Sequence, residues 1–329
     1  ANLAAADADT PLADQQESLA QLALAQSTLG DVLSQSGRHP EAIECLRRSL
    51  ETGEHLVRLV PSHLPYVEEL AFAELSLAQA LIPLGECVEE DALLRRAAQR
   101  FEVLLQQMAT YPHLRENRAI AITNRGLLYH QARRNQEARK LLDDAVTEIQ
   151  RLAAAPEATS KQLELLALAY TIRGRILRDL DLRSESAIDF RKALGLFTDV
   201  LLREDAEMPS YQRGVAASGR HYAVQLERIG QPGDAESEYT TAIRILSGLL
   251  EKDPRHRQTL DDLALSHEYL GDFYRRRQTP EKAGPEYRQA VQLRQRLPNE
   301  PEYLARLIRV LLKLEAPDEL DRAAALAEK

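Results

Sequence analysis

Small and large apolar residues along this chain fall at helical spacing, and the whole arrangement returns at a longer fixed period. The segments TLGDVLSQSGRHPEAIECLRRSL (28–50) and YLGDFYRRRQTPEKAGPEYRQAV (269–291) share one skeleton. Each has Leu-Gly-Asp, an Ala twelve residues after the Gly, and a large residue four further on. Taking Gly30 as a marker, Ala78, Gly126, Gly174, Ala223 and Gly271 follow at intervals of 48, 48, 48, 49 and 48 residues. Three residues after each marker stand Leu33, Leu81, Tyr129, Leu177, Leu226 and Tyr274. Twelve after each stand Ala42, Glu90, Ala138, Ser186, Ala235 and Ala283, and four beyond those Leu46, Leu94, Leu142, Phe190, Tyr239 and Tyr287. Three further on are Ser49, Ala97, Ala145, Ala193, Ala242 and Ala290. Six units that agree at five columns define an internal repeat.

Each unit predicts a helix, a short loop and a second helix. Positions three and four apart share one helix face, so the columns describe two faces that meet. Helices approach to ~8–10 Å only where small side chains allow it, which is the part played by the Gly/Ala marker opposite the midpoint Ala. The large residue four positions along fills the neighbouring groove. Pro61, Pro112, Pro156, Pro209 and Pro254 recur between the second helix of one unit and the first helix of the next, where proline ends one helix or opens another. The expected units are 12–61, 62–112, 113–156, 157–206, 207–254 and 255–298. Residues 1–11 read as the tail of a preceding second helix and 299–329 as a partial seventh repeat, so the chain reads as a piece of a longer protein.

These columns resemble the tetratricopeptide repeat (TPR), whose signature is W-x2-L-G-x2-Y, then A-x3-F, then Pro. The sixth unit reads His267-x2-Leu270-Gly271-x2-Tyr274, then Ala283-x3-Tyr287-x2-Ala290. No unit carries the Trp, Glu90 and Ser186 replace the midpoint Ala, and Arg125 and Arg173 replace the Leu before the marker. The resemblance implies an all-α fold, an α-solenoid of stacked antiparallel helix pairs wound as a right-handed superhelix. The period of 48 is fourteen longer than the ordinary 34, which lengthens both helices. Arrays of this period are similar to those of large bacterial multidomain proteins, some with a Ser/Thr kinase domain.

Composition narrows the chemistry. Aromatic residues make up 5% of the 329 residues and Trp is absent, so the core is expected to be Leu and Ala, residues that favour helix. A net charge of −9 argues against general attraction to nucleic acid, and no apolar run approaches the ~20 residues of a membrane span. Two cysteines, Cys45 and Cys87, are too few for a disulfide framework or a zinc cluster, which fits a cytoplasmic setting. Seven Lys against 35 Arg is a composition bias, so an Arg is not functional merely by being present.

No catalytic constellation stands out: neither a phosphate-binding glycine loop, nor G-x-S-x-G, nor H-E-x-x-H occurs. His267-Glu268 starts like the last of these, but Gly271 occupies the second ligand position. No cofactor, metal or enzymatic activity is expected for this chain. What remains is surface. In the TPR family the first helices line a groove, and positions −3, +1, +4 and +5 from the marker face it. In units four to six these include Arg175, Arg178, Arg220, Arg228, Arg275 and Arg276, interleaved with Glu227, Glu268 and Asp272. In units one and two they are Ser27, Asp31, Ser34, Gln35, Leu75, Gln79, Ile82 and Pro83. The Arg set suits an acidic or phosphorylated protein segment, because guanidinium forks onto carboxylate and phosphate. The expected function is a non-catalytic protein- or peptide-binding scaffold; the alternative is a regulatory arm of a larger enzyme such as a bacterial Ser/Thr kinase.

Overall fold

A computed structural model describes residues 3–82, 87–108, 111–204, 206–298, 300–314 and 323–326. They form α1 (Leu3–Gln35), α2 (His39–Leu59), α3 (Leu64–Leu81), α4 (Cys87–Gln107), α5 (Pro112–Gln131), α6 (Asn135–Ala153), α7 (Ser160–Asp179), α8 (Arg183–Arg203), α9 (Pro209–Arg228), α10 (Pro232–Lys252), α11 (Arg257–Arg276), α12 (Pro280–Arg294) and α13 (Pro301–Leu314). No strand occurs among the described residues. Odd-numbered helices carry the marker columns and even-numbered helices the midpoint columns. Proline occupies the first turn of α2, α3, α5, α9, α10 and α12, where its missing N–H has no intrahelical partner to lose. α1 runs unbroken from Leu3 to Gln35. Residues 3–11 lie within that helix, and their Ala content favours it.

The chain divides into two compact units, Ala1–Leu165 and Leu166–Lys329. In the first, α1 to α6 pack in chain order, and α1 and α5 each also touch α3. In the second, α8 to α13 pack in order, α9 also touches α11, and α7 packs on α8 through Gly174 and Phe190. Contacts between successive first helices place them along one side of each unit.

The marker columns do what their spacing predicts, with one refinement. A Cβ on Gly271 would lie 2.7 Å from Tyr287, and one on Gly174 would lie 2.9 Å from Phe190. The side chain sixteen residues on therefore sits directly over the marker, and the midpoint residue lies beside it. Ala42, Ala138, Ala235 and Ser186 are buried completely. Ser186 is accommodated because its hydroxyl donates to the Gly174 carbonyl at 2.8 Å, which satisfies a polar group that burial would otherwise penalise. Glu90, which replaces the midpoint Ala, is also fully buried. Its neighbours are tied down, Glu89 by Arg47 at 2.9 Å and Asp91 by Arg125 at 2.8 Å.

Candidate binding surface

The second unit gathers charge in a way that side-chain packing alone does not require. Arg175 and Arg178 rise from α7 and Arg220 from α9. Arg220 is 3% exposed; its Nη1 donates to Ser266 Oγ at 3.0 Å and to the Asp262 carbonyl at 3.3 Å, and its guanidinium lies 5.7 Å from the Tyr269 ring centre. Its Nε is buried with no hydrogen-bond partner among the described residues. Arg178 is held by Asp179 at 3.0 Å. Among the described residues no hydrogen bond or ion pair engages Arg175. Burial first, then the Arg178 charge, lowers the Arg175 pKa, with Arg220 adding to the effect.

His221 completes the cluster. Its ring stacks on Phe190 at 5.1 Å and meets Tyr269 edge-on at 6.5 Å. Nδ1 is buried without a partner among the described residues. Burial, followed by Arg220, Arg178 and Arg175, pushes the imidazole well below its ordinary value, so the ring is neutral at physiological pH. Like charges held this close with little compensation raise the free energy of the folded state.

The other three expected residues do not join this cluster. Arg276 forks onto Glu227 with both contacts at 2.7 Å. Arg275 faces Asp272 at 3.7 Å and the Tyr287 ring, and Arg228 is exposed. Of the expected groove positions in units one and two, Leu75 is buried and belongs to the core, while Pro83 lies outside the described residues. Ser27 and Asp31 line a cavity of about 260 Å³ between α1, α2 and α3. His221 and Tyr269 escaped the sequence reading because they sit two positions before the marker, one place away from the columns considered.

Among the described residues no group of three or more His, Cys, Asp or Glu side chains is placed to hold a metal ion. His267 contacts Glu286 at 2.6 Å, which accounts for its position on the helix. No described helix is long and apolar enough to cross a membrane.

No protein-family model matches the chain, and no curated relative matches its sequence. Solved structures do match. BtubC of P. vanneervenii aligns with a TM-score of 0.56 at 20% identity, over 77% of this chain and 89% of that one. Aspartyl phosphate phosphatase F of Bacillus subtilis gives 0.57 at 14%, over 84% of this chain and 60% of that one. The S. pombe nuclear import adaptor Nro1 gives 0.53 at 11%, over 89% and 98%. BtubC and Nro1 are TPR-like repeat proteins. The chain has their fold, an α-solenoid of consecutive helix pairs.

Proposed function

We propose that the chain is a non-catalytic scaffold that binds a protein segment along its first helices. In the second unit the segment presents an acidic or phosphorylated side chain to Arg175, Arg178 and Arg220. The observation that carries this reading is the partly buried cluster itself: three guanidiniums and a neutral imidazole with one close carboxylate contact, that of Asp179. Stacked helix pairs expose an extended continuous surface, because each repeat packs only on its neighbours. Nro1, which shares the fold, is itself described as a nuclear import adaptor.

The test is fluorescence anisotropy with labelled peptides that carry Ser, Glu or phosphoserine at one central position. Binding is expected for the Glu and phosphoserine peptides. Arg175→Ala/Arg178→Ala should weaken it at least tenfold, since a hydrogen bond to a charged group contributes about 1.5–3 kcal/mol. Arg276→Ala, whose partner is internal, should change little. Equal binding of the Ser and phosphoserine peptides, or an unaffected double variant, would return these Arg to the status of solvated surface.

A further inference from the structure

The first unit holds a different kind of site. The cavity between α1, α2 and α3 has an apolar body formed by Ala23, Leu24 and Phe72. Glu69 and Asp31 also line it, and among the described residues no Lys, Arg or His does. One oxygen of Glu69, Oε2, is buried and has no hydrogen-bond partner among the described residues. Burial, followed by the charge of Glu68, raises the Glu69 pKa. Glu68 itself is engaged by His113 at 2.9 Å.

Two buried carboxylates of this unit, Glu74 and Glu116, have cations beside them. Glu74, on the same helix, is fully buried, and Arg96 and Arg100 each approach it at 3.0 Å. Glu116 is met by Lys161 at 2.6 Å. Glu69 lines the cavity, and among the described residues no hydrogen bond or ion pair joins it to a cation. A carboxylate in that position favours a cationic head, while Leu24, Ala23 and Phe72 favour a long aliphatic stem. Lys and Arg side chains combine the two, burying the stem and presenting the charge, and the Phe72 ring adds attraction for a cation.

We propose that this cavity seats a Lys or Arg side chain of a bound protein segment, its stem against Leu24 and Phe72 and its charge on Glu69 and Asp31. The proposal rests on the protein-binding reading, but it uses none of the Arg cluster and takes the opposite charge.

The probes are labelled peptides Ac-Ala-Leu-Xaa-Leu-Ala with Xaa as Lys, Arg, norleucine or Glu, measured by anisotropy on the full chain. Lys and Arg should bind about tenfold tighter than norleucine, which keeps the stem and lacks the charge. Glu69→Gln should erase that preference, Ser76→Trp should fill the cavity and remove binding, and Arg175→Ala/Arg178→Ala should leave both unchanged. Circular dichroism melts establish that the variants fold. On the native protein, n-hexylammonium should displace the Lys peptide and 1-hexanol should not, a readout that needs no variant. Norleucine binding as well as Lys, or a preference that survives Glu69→Gln, would overturn the proposal. Hexylammonium binding without any binding of Lys or Arg peptides would overturn the assignment to a protein segment. Loss of the phosphoserine peptide's binding in the earlier experiment bears only on the Arg cluster.

Discussion

Gly126 and Gly195 both lie inside helices, yet their surroundings predict opposite responses to one added methyl group. A Cβ on Gly126 would run into Cδ2 of Leu142, a side chain with no exposure. A Cβ on Gly195 would meet nothing within 4 Å among the described residues beyond its own stretch of helix. Gly126→Ala should therefore destabilise the protein by about 1–3 kcal/mol, the range for overpacking, with Gly126→Leu at least as severe. Gly195→Ala should stabilise it by roughly 0.5–1 kcal/mol by removing backbone freedom from the unfolded chain. Thermal melts of the two variants decide the matter, and movement in the same direction would show the column assignment to be mistaken. The marker was legible in the sequence because its steric demand is local and repeats. Arg173 was less legible: it looks like a departure from the Leu column, but it forks onto Asp189 at 2.7 and 2.9 Å. His221 and Tyr269 were not legible at all, since their partners come from α7, α8 and α10 and depend on how the pairs stack.

At the scale of helices and their connections, the turns inside the pairs carry a signal as regular as the marker. Seven residues after it, backbone φ is positive at Gly37 (76°), Arg133 (61°), Asp181 (60°), Gly230 (83°) and Gln278 (58°). In each turn the next residue's N–H donates back across the helix end, as Arg38 does to the Leu33 carbonyl at 2.9 Å and Gln231 to that of Leu226 at 2.8 Å. This is the left-handed cap that releases a helix into a tight reversal, and it allows α2 to double back on α1 after three residues. Gly85 falls in the same column but lies outside the described residues. A residue with a side chain is strained in this conformation by about 1–2 kcal/mol. Gly230→Ala should accordingly lower stability by roughly 1 kcal/mol, and Gln278→Gly should be neutral or raise it by up to about 1 kcal/mol, the relief being offset by glycine's greater unfolded entropy. Urea midpoints at constant slope measure both. The column was available to the sequence reading through its three glycines, but Arg, Asp and Gln at the other positions concealed it.

For the molecule as a whole, composition gave a net charge of −9 and could not show that Arg175, Arg178 and Arg220 collect locally. What the repeat does determine is how stability is distributed. Each helix packs mainly on its neighbours in chain order, so stability should behave as a sum of unit and nearest-neighbour terms, and damage should stay local. Leu29 and Leu77 allow a test because they occupy the same column, one position before the marker. Leu77 is fully buried, whereas Leu29 on α1 is 51% exposed. Leu77→Ala should cost about 2–5 kcal/mol, as buried Leu truncations do, and Leu29→Ala should stay within about 0.5 kcal/mol. Hydrogen exchange then reports where the loss falls. Leu77→Ala should speed amide exchange in α3 and in α1, α2, α4 and α5, which touch it, while α9 to α12 in the second unit retain their protection. An equal loss of protection in α9 to α12 would mean that the chain opens in one cooperative step, and the nearest-neighbour account would fail. Protection lost in the first unit alone would show that the spacing seen first as a pattern of small and large residues also sets the boundaries within which the protein unfolds.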